Sequence, residues 1–433
     1  MIPEWSVGAR PPRLEPEHAT IDCVTEPDPA SPPTPTGLAH VATVSFLAAR
    51  AAPSMQFWIA LAGGIGLART SALHGLRNGY GASLASMLQT VAVMGPARVN
   101  GPLTQALTAP LLGALHRRGT PVPAQIAACF AIRLSHYVVL TAALVWIVLG
   151  GLDAYAGSYD TLTGWLGLLP EGKRGALIVT AILNVALAVF YSVTQVLVYR
   201  WALASWPQSP PAIAAPAAGP AQDRGSARFD PRAITLAAVV AFALLLSGTW
   251  WALLASVAAW LAIAWAVSRP DREALGLGLA LTALLAFGAI VATLIAGLGI
   301  DEALRRGSRA GLLVLVATWM RAAAGPAGLR ETFRRALWRI RAVPPAREAS
   351  QILDGLDSGA RLIASGRTLV DALAVVELTP RTVAAVVRDW VSAEAAGFRA
   401  AAAAARARLA VKPRDGLLVA FAAVPVLALF AHG

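Results

Sequence analysis

Residues 329–341 read Leu-Arg-Glu-Thr-Phe-Arg-Arg-Ala-Leu-Trp-Arg-Ile-Arg, and they open a charged run, 329–414, that lies between apolar segments. The run holds 15 Arg or Lys and 8 Asp or Glu, too much charge for a segment embedded in lipid. Its apolar residues still recur at helical spacing, as in Leu329, Phe333, Leu337 and Ile340, and again in Val383, Val386, Val387, Trp390 and Val391. This spacing predicts amphipathic helices outside the membrane, forming a platform that meets a soluble partner.

The composition of the whole chain indicates a membrane protein. Of 433 residues, 57% are hydrophobic and 14% are charged, whereas soluble domains carry about 25% charged residues. The apolar residues come in blocks separated by short basic loops, and a helix can cross lipid because it satisfies its own backbone hydrogen bonds. We therefore predict an all-α, polytopic membrane protein with about nine to eleven spans in two modules, and with a cytosolic amphipathic platform before the last span.

Changes in composition divide the chain into six predicted parts. In chain order these are a polar, Pro-rich, disordered tail without a cleavable signal (1–37), an N-terminal membrane module with a polar loop at 150–174 (38–206), a Pro- and Ala-rich linker (207–232), the membrane helices of a second module (233–324), the platform, which prolines divide into about three helices (325–415), and a terminal span (416–433). The basic clusters predict a multi-pass protein of the cell membrane with a cytoplasmic N-terminus.

The sequence lacks the patterns that are typical of several function classes. The net charge of +12 is explained by basic loops that face anionic lipid, so a nucleic-acid partner is not expected. Cys23 and Cys129 are far apart, and the six histidines are scattered, so neither a disulfide framework nor a metal site is predicted. The sequence has no P-loop pattern and no catalytic constellation. We expect no directly bound cofactor and no enzymatic activity in the chain itself.

Polar residues within predicted spans are candidate solute ligands, because burying them in lipid is costly. Asn184, Tyr191 and Gln195 fall on one face of the predicted span 176–199. Arg98 and Asn100, between two earlier spans, could hold a polar or anionic ligand. The alternative for all of them is helix–helix hydrogen bonding or a role in a helix turn. Arg133 is interpreted as a side chain that snorkels to the lipid headgroups.

Residues 317–345 read Ala317-Thr-Trp-Met-Arg-Ala-Ala-Ala-Gly-Pro-Ala-Gly-Leu-Arg-Glu-Thr-Phe-Arg-Arg-Ala-Leu-Trp-Arg-Ile-Arg-Ala-Val-Pro-Pro345. This passage, and the order of segments in 233–433, resemble the transmembrane T component of energy-coupling factor (ECF) transporters. The resemblance implies that platform arginines dock on ABC-type ATPase subunits, which would bind ATP. The nearest matches to the family's Ala-Arg-Gly or Ala-Arg-Ser motifs are Gly359-Ala360-Arg361-Leu362 and Ser365-Gly366-Arg367-Thr368, and neither keeps the motif intact. Arg334 and Arg335 are further docking candidates.

The first half resembles, in size and layout, the S component of the same transporters, which binds the solute. The combined resemblance implies a fused subunit for uptake of a small solute. Two alternatives remain open. One is a membrane scaffold whose basic platform binds a cytosolic partner, which the altered arginine motifs favour. The other is a membrane-embedded enzyme acting on a lipid, for which the sequence offers no carboxylate or histidine constellation.

Overall fold

The structure is a computed structural model that describes residues 32–51, 55–96, 100–149, 151–164, 170–207, 228–248, 250–268, 272–356, 360–374, 379–398 and 412–425. Within these ranges the chain forms fifteen α-helices and no strand, so the prediction of an all-α protein is confirmed. The predicted tail (up to residue 31), most of the predicted linker (208–227) and the last part of the predicted terminal span (426–433) lie outside the described residues.

The helices follow one another in the order α1 (Pro35–Ala51), α2 (Gln56–His74), α3 (Leu76–Met94), α4 (Asn100–Arg117), α5 (Val122–Ala143), α6 (Leu152–Thr163), α7 (Gly172–Ala204), α8 (Pro231–Ser247), α9 (Trp251–Ser268), α10 (Arg272–Ile295), α11 (Ile300–Arg339), α12 (Pro344–Gly355), α13 (Ala360–Ala374), α14 (Pro380–Gly397) and α15 (Pro413–Ala423). A π-helical turn, Leu144–Val148, prolongs α5.

Prolines mark the beginnings of several helices in the second half. α12, α14 and α15 begin at Pro344, Pro380 and Pro413, where the missing N–H of proline costs no hydrogen bond. The long helix α11 is interrupted at Gly325, whose φ of 69° and ψ of 159° are not helical. Three helices, α12 to α14, thus follow α11 in the stretch predicted to be the platform.

Two segments differ from the sequence-based expectation. The stretch predicted as a polar loop, 150–174, contains the helix α6, which packs along α7 and places the Tyr155 hydroxyl against Thr180. An amphipathic helix of twelve residues is too short to stand out from a polar loop by its pattern. In addition, α1 begins at Pro35, within the predicted tail. Its first turn packs against α14, where Gly37 lies close to the backbone oxygen of Ala395.

Among the described residues, five helices are long and apolar enough to cross a membrane: α5 with its π-helical extension (Val122–Trp146), α7, α9, part of α10 (Leu275–Ile295) and α11. α8 is apolar but shorter. Large apolar side chains on these helices point outward, among them Val139 (67% exposed), Phe190 (62%) and Phe287 (66%). Such exposure fits a surface solvated by lipid. The larger count of nine to eleven spans stays a prediction.

Two hydrophobic cores organise the described helices. The first is built from α1 to α4, the inner faces of α5 and α7, and the platform helices α12 to α14. The second is built from α8, α9, α11 and α15. α1 lies at the centre of the first core, in contact with α2, α3, α12, α13 and α14. The platform helices therefore share a core with the first half of the chain rather than forming a separate layer.

Small residues bring the platform close to the first-half helices. Gly81 on α3 lies so near Glu348 and Ala349 on α12 that an added Cβ would come within 2.5 Å of the Glu348 side chain. Beside this contact Arg77 forms an ion pair of 2.7 Å with Glu348. Close backbone approach at glycine increases the dispersion contacts between two helices.

A buried hydrogen-bonded group ties α1 to the platform. The Oε1 atom of Glu394 on α14 lies 2.9 Å from Nε2 of His40 on α1 and accepts a hydrogen bond of 2.7 Å from the hydroxyl of Ser365 on α13. All three side chains are buried, and the His40 ring stacks on Phe398 at 4.7 Å. Burial raises the pKa of Glu394, but hydrogen bonds from His40 and Ser365 outweigh it and hold the pKa below its ordinary value of 4.5.

The close packing of α4 on α2 predicts that Gly113→Ala is destabilising. A Cβ at Gly113 would lie 2.0 Å from the backbone oxygen of Ala68, which cannot move without shifting α2. We expect a loss of about 1–3 kcal/mol in the free energy of unfolding, measured as a lower Tm of the purified protein in detergent. Gly288→Ala on α10 is the matched control, since nothing lies within 4 Å of its added Cβ. Equal Tm values for the two variants would contradict this packing.

The Glu394 group predicts a dependence of stability on pH. Because its folded-state pKa is lowered, ionised Glu394 stabilises the fold fully above the ordinary pKa of 4.5, and this contribution is lost as pH falls through the folded-state pKa. Thermal unfolding from pH 7 into this acidic range should therefore show a steeper loss of Tm for the wild type than for Glu394→Gln. Asp389→Asn, a more exposed carboxyl on the same helix, should keep the wild-type slope. A wild-type slope in Glu394→Gln would exclude this role.

Candidate functional site: a buried arginine cluster

Polar side chains from α4, α5 and α7 meet inside the first half of the chain. They are spaced three or four residues apart, so each set lies on one face of its helix. We call this group the Arg133 cluster, and its members are Thr104, Gln105 and Thr108 on α4, Cys129 and Arg133 on α5, and Tyr191, Ser192, Gln195 and Tyr199 on α7.

Hydrogen bonds join the three helices across the cluster. Arg133 donates from Nη2 to the amide oxygen of Gln195, and from Nη1 to the Thr104 hydroxyl at 3.3 Å. The amide nitrogen of Gln195 donates to the Thr108 hydroxyl at 2.7 Å. The Tyr199 hydroxyl donates to the side-chain oxygen of Gln105 at 2.9 Å. Gln195 is therefore the central residue, because it accepts from α5 and donates to α4.

Arg133 is only 2% exposed, so its interpretation as a snorkelling side chain is wrong. The residue comes near the start of a long apolar helix, where a headgroup position is a reasonable expectation. Instead, α4 and α7 cover it and supply neutral acceptors for its guanidinium group. The ring of Tyr191, with its centroid 5.6 Å from the guanidinium carbon, provides a further favourable contact.

The structure brings together two of the five predicted solute ligands. Tyr191 and Gln195 both contact Arg133. Asn184 lies nearer the beginning of α7, two turns before Tyr191, and donates to the Thr141 hydroxyl at 3.2 Å. This is the helix–helix hydrogen bond expected as the alternative. Arg98 lies outside the described residues, and Asn100 begins α4 with a side chain that is not described.

The charge distribution around Arg133 is unusual. The sequence contains no Asp or Glu between Asp28 and Asp153, and none between Glu171 and Asp223. α4, α5 and α7 therefore carry no carboxylate that could pair with Arg133. This gap in acidic residues is visible in the sequence alone. It would have identified Arg133 as a basic residue in an apolar helix without a nearby carboxylate.

Two polar atoms of the cluster have no hydrogen-bond partner among the described residues. They are the Nε atom of Arg133 and the hydroxyl of the fully buried Ser192. Buried polar groups are nearly always paired, so each exception needs a reason. No group of three His, Cys, Asp or Glu side chains in the described part of the chain is arranged to hold a metal ion. The cluster instead presents one cation and several hydroxyl and amide groups.

The four predicted docking arginines lie in two separate places. Arg334 and Arg335 on α11 both bond to Glu331, at 2.7 Å and 2.6 Å. On α13, Arg361 is half-buried, donates to the Gly397 carbonyl at 3.2 Å and lies over the Phe398 ring. Arg367, one turn and a half later, is exposed. Of the two motif arginines, Arg367 is therefore the one available to a partner.

A second basic feature was only partly visible in the sequence. A cleft of about 380 Å³ is lined by Arg232, Thr332, Arg334, Arg335, Ala336, Trp338 and Arg339, and it joins the start of α8 to the end of α11. Arg232, whose hydrogen bond to Asp230 holds the pKa of that carboxyl below its ordinary value, could not be assigned to this cleft without the tertiary contact. The cleft continues into an exposed turn with Trp338, Ile340 and Val343 at its surface.

Comparison with known proteins gives no relative from which a function could be transferred. No protein-family model matches the chain, and neither a curated protein nor a solved structure is similar to it.

Proposed function

We propose that this chain is the transmembrane subunit of an ECF-type transporter, in which partner ABC-type ATPases bind ATP and drive the uptake of a small solute. The observation that carries the proposal is the packing of α12, α13 and α14 on the first-half helices α1, α2 and α3. A force applied to the platform would act on helices that pack against α4 and α7, which carry most of the Arg133 cluster.

The connection from platform to cluster runs through packed helices. α12 contacts α3, α13 and α14 contact α1, and α2 contacts both α4 and α7, which carry most of the cluster. Such a path couples two sites only if the partner binds the two arrangements with different affinity. ATP-bound and ATP-free states of an ATPase would supply that difference.

In this proposal residues 38–206 correspond to the solute-binding module and 233–433 to the coupling module. Tyr191 and Gln195 contribute to the solute site, and the platform faces the cytoplasm together with the N-terminus. The nine to eleven spans and the cell-membrane location belong to the same proposal. The altered arginine motifs leave Arg367 as the main docking residue, since Arg361 is engaged with Gly397 and Phe398.

A second candidate function is a membrane scaffold that binds an acidic cytosolic partner. The cleft lined by Arg232, Arg334, Arg335 and Arg339 favours it, because arginine pairs with carboxylates in bidentate geometry. In contrast to the transporter, the scaffold needs no connection between the platform and the Arg133 cluster.

The transporter proposal predicts that Arg367→Glu weakens the docking of an ATPase. Because Arg367 is exposed and on the platform, charge reversal should leave the fold intact and lower ATPase recovery by about tenfold or more. The measurement is affinity purification of the full chain in mild detergent, with identification of the bound proteins. Arg118→Glu, an exposed arginine on the loop after α4, is the control and should retain the ATPase. Wild-type protein that retains no ABC-type ATPase would refute the proposal.

The scaffold function predicts a different response in the same purification. Arg339→Glu reverses an exposed charge of the cleft. It should therefore lower the recovery of an acidic partner that is not an ATPase by about tenfold or more. Arg367→Glu should leave that partner bound. If Arg339→Glu and Arg118→Glu recover the same proteins in the same amounts as the wild type, the cleft is not the docking surface.

A further inference from the structure

The balance of charge within the first half points to a ligand at the Arg133 cluster. We propose that the cluster binds a small anion, a carboxylate or a comparable oxyanion, with Arg133 as its counter-charge. This inference rests on the proposed function in one respect, since it identifies that anion with the transported solute. Binding itself depends only on the cluster and can be tested without any partner.

The first step of the argument is the cost of an unpaired buried cation. Removing a charge from water costs several kcal/mol even after the protein relaxes, and neutral hydrogen bonds recover only part of it. Arg133 is 2% exposed and has no carboxylate on the helices that enclose it. Ionisable residues in such surroundings are rare and mark ligand or ion pathways. A bound anion would supply the missing charge.

The second step is the set of donors around the arginine. The Nε atom of Arg133 and the hydroxyl of Ser192 have no hydrogen-bond partner among the described residues. Ser192 lies three residues before Gln195 on the same face of α7, which places it in one locality with Arg133. Thr104 and Thr108 add hydroxyl groups from α4. A guanidinium group with nearby hydroxyl donors is the chemistry that recognises a carboxylate or another oxyanion, and it disfavours a cation.

The third step is the acceptor that an anion would replace. Arg133 donates at present to the amide oxygen of Gln195, a neutral acceptor. An ionised oxygen is the stronger acceptor for a guanidinium group, because the opposite charges attract and both partners of the hydrogen bond are then ionised. Gln195 would then be free to rotate its amide and donate to the anion. Since Gln195 also joins α7 to Thr108 on α4, the exchange would change the contact between these helices.

One internal competitor is Cys129. Its sulfur lies 3.4 Å from the side-chain oxygen of Gln195, where the thiol acts as a donor and so carries no negative charge. Cys129 therefore supplies no counter-charge to Arg133.

The experiment measures the thermal stability of the purified full chain in a neutral detergent at constant sodium chloride. The probes are acetate, benzoate and inorganic phosphate, with acetamide and benzamide as neutral counterparts of the two carboxylates. We expect at least one anion to raise the wild-type Tm in a saturable manner, because a ligand that binds only the folded state stabilises it. The neutral amides should have no such effect.

Variants then assign the effect to Arg133. Arg133→Gln should weaken the apparent affinity for that anion by about tenfold or more, whereas Arg117→Gln, an exposed arginine at the end of α4, should leave it unchanged. Arg133→Lys keeps the charge and provides a folded comparison if the glutamine variant does not fold. It should still bind the anion, but more weakly than the wild type.

Two results would overturn the inference: no anion of the panel raises the wild-type Tm, or the anion stabilises Arg133→Gln and the wild type equally. These outcomes are separate from those of the ATPase purification. If the chain binds an anion but retains no ATPase, the anion site stands and the transporter proposal is rejected. If the chain retains an ATPase but binds no anion, the transporter proposal stands and the anion site is rejected.

Discussion

The structure depends on one constraint, which is that the first-half helices α1 to α5 and α7 contain basic and polar groups but no carboxylates. Between Asp28 and Asp153 the sequence has no acidic residue, so carboxylate partners for the basic side chains there must come from elsewhere in the chain. The platform provides two of them. Glu348 on α12 pairs with Arg77 at 2.7 Å, and Glu394 on α14 bonds to His40 at 2.9 Å. The acidic groups of the second half thus fasten it to the first.

These two contacts differ in strength because their surroundings differ. Arg77 is half exposed, and water screens its pairing with Glu348, so the pair adds little stability. His40 and Glu394 are buried, and the loss of either partner would leave an unpaired polar group in the core. The attachment of α1 to α13 and α14 therefore rests mainly on the buried group and on the close packing at Gly37, whereas the outer ion pair joins α3 to α12.

Local features of the fold could be predicted from the sequence, whereas contacts between distant segments could not. Prolines predicted the starts of α12, α14 and α15, and the spacing of apolar residues predicted the end of α11 and the middle of α14. For α7, helical periodicity correctly put Tyr191 and Gln195 on one face, but Asn184 on the same face meets Thr141 instead of Arg133 because the helix is long enough to pass several neighbours. The depth of Arg133 depends on α4 and α7, so its own segment could not reveal it. The packing of α12 on α3 joins residues more than 250 positions apart, and no periodicity encodes it.

The constraint also bears on the choice between a transporter and a scaffold. A scaffold requires a stable fold and an exposed docking surface, and a buried cation without a counter-charge works against the first of these. Replacing such a group with an apolar residue of similar size is often neutral or stabilising. Arg133 is enclosed by Thr104, Gln195 and Tyr191, which hold its charge in place but do not neutralise it. This arrangement is costly in a purely structural core and is useful in a site that must bind an anion and release it. A permanent carboxylate beside Arg133 would stabilise the resting protein more, but it would also compete with the ligand.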